Sequence, residues 1–239
     1  MKIALIGYGN MGQEIEKVVN EGTKHQISSI SSDSRGFDED GIKNADVVID
    51  FSSPEAALEN IQRVLKLGKN MVVGTSGWYE HIDKVDSWVK EAGTGLIYGQ
   101  NFAIGTNIFF RLVETASRLC AKYGNYDVYG YEVHHSGKKD SPSGTAFKTA
   151  QTILDNFPKK KKLQTGRLDR KIETEELHFA SIRGGRNPGM HEVVFDSAAD
   201  SIVLSDQNHS RRGYAEGAVM AAEFIQDKKG VYAFDEIIK

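Results

Sequence analysis

The chain has 239 residues, with 30 lysines and arginines against 33 aspartates and glutamates for a formal net charge of -3, and 39% of its residues are hydrophobic. That length accommodates one large domain or two modest ones with a core of ordinary size, which excludes disorder as the main state. The near-balanced charge gives no field for nucleic acid or an acidic membrane surface, and no apolar run approaches the roughly 18 residues of a membrane span. A lone cysteine, Cys120, cannot form an internal disulfide and fits a reducing, cytoplasmic setting. No cysteine and histidine spacing suggests a metal site, so none is expected.

The first elements follow a plain rhythm. Ile3 to Ile6 is apolar, Gly7-Tyr8-Gly9-Asn10-Met11-Gly12 follows, and Met11, Ile15, Val18 and Val19 recur at helical spacing. A second strand is predicted near Gln26 to Ile30 and a third, continuously apolar, over Ala45 to Phe51, with only a short connection between them. Ser53, Pro54 and Glu55 mark the start of a helix that ends at Gly68. A strand at Met71 to Val73, a helix from about Tyr79 to Ala92 and a strand at Leu96 to Tyr98 complete a doubly wound α/β layout.

After Asn101 the rhythm changes. A helix is predicted from near Asn107 with Phe109, Val113, Ala116 and Cys120 inward, then a strand over Tyr126 to His135. Strands at Leu177 to Ile182, His191 to Phe195 and Ile202 to Leu204 lie close together, the last two joined by a turn over Asp196 to Asp200; this predicts a second domain of α+β type. A helix from Tyr214 to about Gln226 carries a face of small residues, Ala218, Ala221 and Ala222. The run Lys159 to Lys162 reads as a solvated loop.

The chemistry begins with the glycine turn. Gly7 allows a tight bend, Gly9 a close approach of the backbone to a pyrophosphate and Gly12 close packing of helix on strand, while the helix amides face the anion. Gly7, Gly9, Asn10, Met11 and Gly12 are therefore expected to bind a dinucleotide. Asp33, about twenty residues on, suits a ribose 2′-hydroxyl and NADH, whereas Ser31, Ser32 and Arg35 beside it suit a 2′-phosphate and NADPH. Loops after later strands put Phe51, Gly74, Thr75, Asn101 and Phe102 at the same cofactor.

The most informative block is Glu132-Val133-His134-His135-Ser136-Gly137-Lys138-Lys139-Asp140-Ser141-Pro142-Ser143-Gly144-Thr145-Ala146. Ser143 stands as the N-cap of a helix on which Ala146, Ala150, Ile153 and Leu154 share a face, so the amides of Gly144 and Thr145 point outward, with Lys138 a few residues upstream. Such an arrangement suits a carboxylate. Alternation sends His134 and His135 to opposite faces unless the strand ends between them, so at most one is a proton donor.

With these residues the chain resembles the bacterial 4-hydroxy-tetrahydrodipicolinate reductases, also called dihydrodipicolinate reductases, of lysine and diaminopimelate biosynthesis. The pattern His-His-x-x-Lys-x-Asp-x-Pro-Ser-Gly-Thr-Ala is met at every fixed position, and the similarity spans essentially the whole chain. The resemblance implies a Rossmann-like dinucleotide-binding domain over 1–106, completed by 212–239, and a mixed-sheet substrate domain over 107–211 that builds a homotetramer. It implies NADH or NADPH as cofactor, a small dicarboxylate as substrate, His134 as acid/base, Lys138 as the required lysine, His135, Ser143, Gly144 and Thr145 at the substrate carboxylates, and Arg211 near the cofactor. Asp206 stands where the family has a histidine. The implied reaction is hydride reduction of a cyclic imine dicarboxylate with loss of water, with closure near Asn107 and Arg211 joining the two sites. Competing readings are another dehydrogenase of a small dicarboxylate and a non-catalytic dinucleotide sensor; the retained His134 and Lys138 speak against the sensor.

Overall fold

A computed structural model describes residues 1–123 and 125–238. The chain divides into two units, Met1–Ile104 with the segment beginning at Arg211, and Gly105–Ser210.

In the first unit β1 (Lys2–Ile6), β2 (Gln26–Ser31), β3 (Val47–Asp50), β4 (Asn70–Val73), β5 (Gly95–Tyr98) and, from the end of the chain, β11 (Gly230–Ala233) form a parallel sheet in the order β11-β5-β4-β3-β1-β2. Both faces are covered. Ile3, Leu5, Val47 and Ile49 pack with residues of α1 (Asn10–Gly22) and α7 (Arg212–Ile225), while Ala4, Ile6, Val48 and Met71 pack with α3 (Pro54–Lys66) and α4 (Ile82–Ala92). Burial on both faces is the reason these strands read as continuous apolar runs. The small face of α7 is used as its composition suggests: Ala218, Ala221 and Ala222 are fully buried.

The second unit holds β6 (Asp127–His134), β7 (Lys162–Gln164), β8 (Glu176–Arg183), β9 (Met190–Asp196) and β10 (Ser201–Gln207), in the order β10-β9-β6-β8-β7. β6 runs parallel to β8 and antiparallel to β9, so the sheet is mixed. Phe109 and Val113 of α5 (Ile104–Tyr123) and Ala150 and Ile153 of α6 (Gly144–Asn156) meet Val128, Phe179, Val193 and Phe195 in one apolar cluster on one face of this sheet. Cys120 is buried in the same cluster, and burial pushes its thiol pKa up. The other face carries Tyr129, Val194 and Val203 in register across three strands.

Several elements differ from the sequence expectation. α5 begins at Ile104, not Asn107, and the helix expected from Tyr79 opens with a 3-10 turn over Tyr79–His81. The connection between β2 and β3 contains a short helix, α2 (Glu39–Lys43), whose cap Asp38 accepts from the Gly41 amide. β7, β11 and α8 (Phe234–Ile237) were not expected.

The lysine run is the sharpest correction. Lys160 is only 3% exposed; its Nζ donates to the carbonyls of Thr174 (3.1 Å) and Glu176 (2.9 Å) and lies 2.6 Å from Asp127 Oδ1. Lys162 opens β7 and pairs with Glu175 at 2.6 Å. The run is therefore partly a buried clamp between the start of β6 and the entry to β8, because a lysine stem packs as hydrocarbon while its head takes the carbonyls. Removing the ammonium leaves those carbonyls unpaired, so Lys160→Ala is expected to lower unfolding stability by about 2–4 kcal/mol, read as a lower urea midpoint at unchanged slope.

Candidate functional site

Strand order in the first sheet reverses between β1 and β3, and ligands of such sheets lie outside the carboxyl ends of the strands at that point. Two clefts are found there. One, of about 650 Å³, is lined by Gly7, Gly9, Asp33 and Phe51 among others; the second, of about 430 Å³, by Gly9, Asn10, Met11, Phe51, Gly74, Thr75 and Arg211. Gly12, Asn101 and Phe102 line neither. The Phe102 side chain is core, 4.6 Å from the Phe234 ring and 5.7 Å from that of Phe51 between centroids.

The glycine turn has the shape a pyrophosphate requires. Gly7 has φ +89°, and a Cβ there would lie 2.2 Å from the Phe51 carbonyl oxygen; at Gly12 it would lie 2.3 Å from the Gly7 oxygen. At Gly9 it would meet nothing within 4 Å. The two outer glycines thus hold strand, turn and helix together, and the middle one keeps an open approach to the amino end of α1. Asp33 sits in a turn closed by mutual backbone bonds of Ser32 and Gly36. Arg35 lies over the Tyr8 ring at 4.7 Å and Arg63 over the Phe37 ring at 3.5 Å; of the charged residues here, Asp33 and Arg63 line the cleft, and Arg35 does not.

Beneath the clefts lies a residue not singled out from the sequence. Asp50, fully buried at the end of β3, accepts from the Ser52 amide (2.9 Å) and hydroxyl (2.8 Å), the Thr75 hydroxyl (2.8 Å) and Asn60 Nδ2 (3.0 Å). Burial raises its pKa, and these hydrogen bonds pull the other way. The Thr75 hydroxyl also accepts from the Ser52 amide at 2.8 Å. Its side chain is thus committed to joining the loops after β3 and β4. The signal in the sequence was a carboxylate ending an otherwise apolar strand.

In the second unit, strand β6 ends at His134, between the two histidines. His134 is buried and His135 is exposed. The inner face of β6 reads Val128, Gly130, Glu132, His134, turning from apolar to ionisable towards its carboxyl end. Ser143 caps α6: its hydroxyl accepts from the Ala146 amide at 3.1 Å and pairs with His191 Nε2 at 3.2 Å, and its own amide donates to Glu132 Oε1 at 2.9 Å. The cap is 2% exposed, whereas Gly144 is exposed and a Cβ there would meet nothing within 4 Å. Lys138 Nζ lies 2.8 Å from Asp140 Oδ1, and the Lys138 ammonium holds the Asp140 carboxyl below its ordinary range.

Glu132, Arg183 and His191 were not foreseen as site residues. Register brings them together: Glu132 lies opposite Ser181 on β8 and His191 on β9, and His134 lies opposite Arg183. Glu132 Oε1 accepts from the Ser143 amide, the Ser181 hydroxyl (2.8 Å) and Arg183 Nη2 (2.8 Å), and Arg183 Nη2 also donates to the Asp140 carbonyl at 2.6 Å. Burial pushes the Glu132 carboxyl up, but the neighbouring His191 and hydrogen bonds from Ser143, Arg183 and Ser181 outweigh it and hold the group ionised, well below the carboxylate range. His134 is pushed down to about 4, first by burial and then by His191, Lys138 and Arg183, against the upward pull of Glu132. On its other side, Gly189, with φ +151°, leaves room for the imidazole: a Cβ there would stand 3.0 Å from His134 Nε2. Ligand-type atoms of Glu132, His134 and His191 all lie within 4.8 Å of one another, a proximity that chain spacing conceals. The guanidinium on the same carboxylate and the nearby Lys138 already supply positive charge, so the cluster is best read as a hydrogen-bonding network.

Models of known families match both parts of the chain: dihydrodipicolinate reductase, N-terminus, over residues 1–102, and dihydrodipicolinate reductase, C-terminus, over 105–238. The 4-hydroxy-tetrahydrodipicolinate reductase of Christiangramia forsetii is 36% identical over 238 residues, covering 100% of this chain and 98% of that protein. That of Methanocaldococcus jannaschii is 37% identical over 191 residues, 78% of this chain and 69% of the relative. A dipicolinate-bound dihydrodipicolinate reductase from Paenisporosarcina has the same fold, with a TM-score of 0.81 at 22% identity and 99% of each chain covered. Two family models that together take in nearly every residue, and a relative matched end to end, establish that the chain belongs to the dihydrodipicolinate reductase family.

Proposed function

We propose that this protein reduces 4-hydroxy-tetrahydrodipicolinate to tetrahydrodipicolinate with NADH or NADPH, in diaminopimelate and lysine biosynthesis. The observation that carries the reading, given the family, is the grouping of His134, the Lys138 ammonium and the exposed amino end of α6 within one short loop and its flanks. The glycine turn, the open space at Gly9 and the two adjoining clefts fit a dinucleotide in the first unit. Gly7, Gly9, Asn10, Met11, Phe51, Gly74 and Arg211 would hold it, with Asp33 at the adenosine ribose; it supplies a hydride when bound. Gly12 acts through packing and Thr75 through the loops it ties. Asn101 and Phe102, which line neither cleft, would act through the backbone after β5.

The second unit does the rest. Lys138 offsets substrate charge, and the amides of Gly144 and Thr145 orient one carboxylate, with His135 beside them. Ser143 serves this site as the helix cap, since its hydroxyl and amide already have partners. His134 gives the proton that completes the reduction. The dianion raises the histidine's proton affinity, and so the substrate prepares its own acid.

The same reading gives a cytoplasmic homotetramer assembled through the second unit. Support comes from the uncovered sheet face, where Tyr129, Ile182 and Val203 are 45%, 51% and 52% exposed. No helix among the described residues is long and apolar enough to cross a membrane.

Three outcomes test this. Oxidation of NADH or NADPH, with substrate generated in place from pyruvate and aspartate semialdehyde, should be catalysed; with Lys138→Ala it should fall roughly a hundredfold or more in kcat/KM while dinucleotide affinity is kept. No turnover with either cofactor would favour a sensor. Binding of the pyridine-2,6-dicarboxylate dianion should take up a proton between about pH 4, where His134 is half charged without ligand, and the histidine's raised pKa in the complex, and the affinity for the dianion should decline as pH rises through that window. Calorimetry in buffers of different ionisation enthalpy reads that uptake directly. Finally, Val203→Asp should reduce the assembly mass in sedimentation equilibrium without unfolding the chain.

A further inference from the structure

Glu132 takes no direct part in the proposed reduction, yet it touches both halves of the second unit's site. It is fully buried. Its Oε1 accepts three hydrogen bonds, among them one from the Ser143 amide at the start of α6. Its Oε2 lies 3.1 Å from His134 Nδ1 and 3.5 Å from His191 Nε2. Neither Oε2 nor His134 Nδ1 has an aligned hydrogen bond, although both are fully enclosed. Two such atoms at bonding distance need only a change of ring orientation to satisfy each other, and a buried polar atom left unpaired is costly.

We infer that Glu132 is the positioning residue for proton transfer: Oε2 accepts from His134 Nδ1 and so makes Nε2 the donating nitrogen, while Oε1 fixes the carboxylate-binding end of α6 in relation to it. The inference rests on the reading of His134 as the acid. In the step itself the Nε2–H bond breaks and a C–H bond forms at the ring carbon that carries the enamine electron pair after hydride addition. The neutral imidazole keeps its Nδ1 proton against Glu132, the carboxylate takes none, and solvent restores the proton at Nε2. The arrangement follows the general logic of a carboxylate that orients an imidazole and stabilises its charged form.

The surroundings of His134 make the carboxylate decisive. Arg183 from β8, His191 from β9 and Lys138 from the loop after β6 all disfavour the imidazolium, as does burial; Glu132, on the same strand, is what favours it. His191 in turn spans from the Glu132 carboxylate to the Ser143 hydroxyl, so the proton donor and the helix cap lean on one network.

Glu132→Gln keeps the size of the side chain and removes its charge. With it, kcat should fall roughly ten- to hundredfold, KM for the substrate should change far less, and the decline of kcat with rising pH should begin at least one pH unit lower. A loss of kcat with that decline unmoved, or no loss at all, would overturn the inference, since a purely structural role lowers activity at every pH alike. Should the variant not fold, nitrogen-15 histidine spectra of the wild-type protein at neutral pH serve instead, with the His134 signals assigned by their absence in His134→Gln. A proton on Nδ1 and none on Nε2 is expected; the opposite tautomer refutes the inference. If His134→Gln retained full kcat, the failure would lie with the acid assignment and not with Glu132.

Discussion

A carboxylate with no exposed surface needs donors around it, and the second unit gathers three of them on Oε1 of Glu132, with His134 and His191 beside Oε2. Three elements contribute: Ser181 and Arg183 from β8, His191 from β9 and the Ser143 amide from the start of α6. Because the donors come from different strands, the ionised group holds the mixed sheet and the helix start in one arrangement. Arg183 extends the hold to the Asp140 carbonyl, so the loop from His135 to Pro142 is pinned near its far end as well. Such a group is a weak source of net stability, since desolvation offsets much of the attraction. Its value lies in geometry: a displaced partner leaves a buried charge unmatched, and alternative packings are correspondingly disfavoured.

The first unit repeats the device at its own ligand-facing end. Asp50 gathers the loops after β3 and β4 through Ser52, Asn60 and Thr75, directly beneath the two clefts. The difference is in ionisation. Glu132 has a guanidinium and is held ionised, while Asp50 has only neutral donors and burial raises its pKa. Backbone loops that must present amides to an anion cannot be held by each other alone, and in both units a carboxylate on a strand end supplies the fixed point.

What the sequence disclosed, and what it did not, follows from the range of the interactions involved. Periodic apolar segments such as Val47 to Asp50 or the small face of α7 carry their signal within a few residues, and the glycine turn and the Ser143 cap are equally local. α2, β7 and β11 are short and lie among charged residues, so no period could develop. Lys160 reads as solvated because its partners, the carbonyls of Thr174 and Glu176, come from a segment beyond any local window. Glu132 and His191 are 59 positions apart in number yet directly opposite in register, and only strand pairing reveals that the imidazole lies beside that carboxylate. The side chains of Ser143 and Thr75 illustrate the converse: a residue type suited to a ligand can also be engaged in the frame around its own loop.

Charge accounting ties these observations together. Without ligand, Glu132 is matched by Arg183, Lys138 by Asp140, and His134 is neutral with its pKa near 4, so the cluster has little net charge. A dianion entering such a place must find or create two positive charges. On the proposed reading Lys138 would provide one by exchanging or sharing Asp140, which is more than half exposed and can return to solvent at small cost. A proton on His134 would provide the other, on the same reading, at the nitrogen inferred to give the proton. An imidazole already charged in the empty site would bind the dianion more tightly but would also attract any passing anion; one that is neutral until the substrate arrives would couple protonation to occupancy. The depressed resting pKa of His134 is therefore consistent with its use as an acid, provided that the enclosed carboxylate beside it remains ionised throughout.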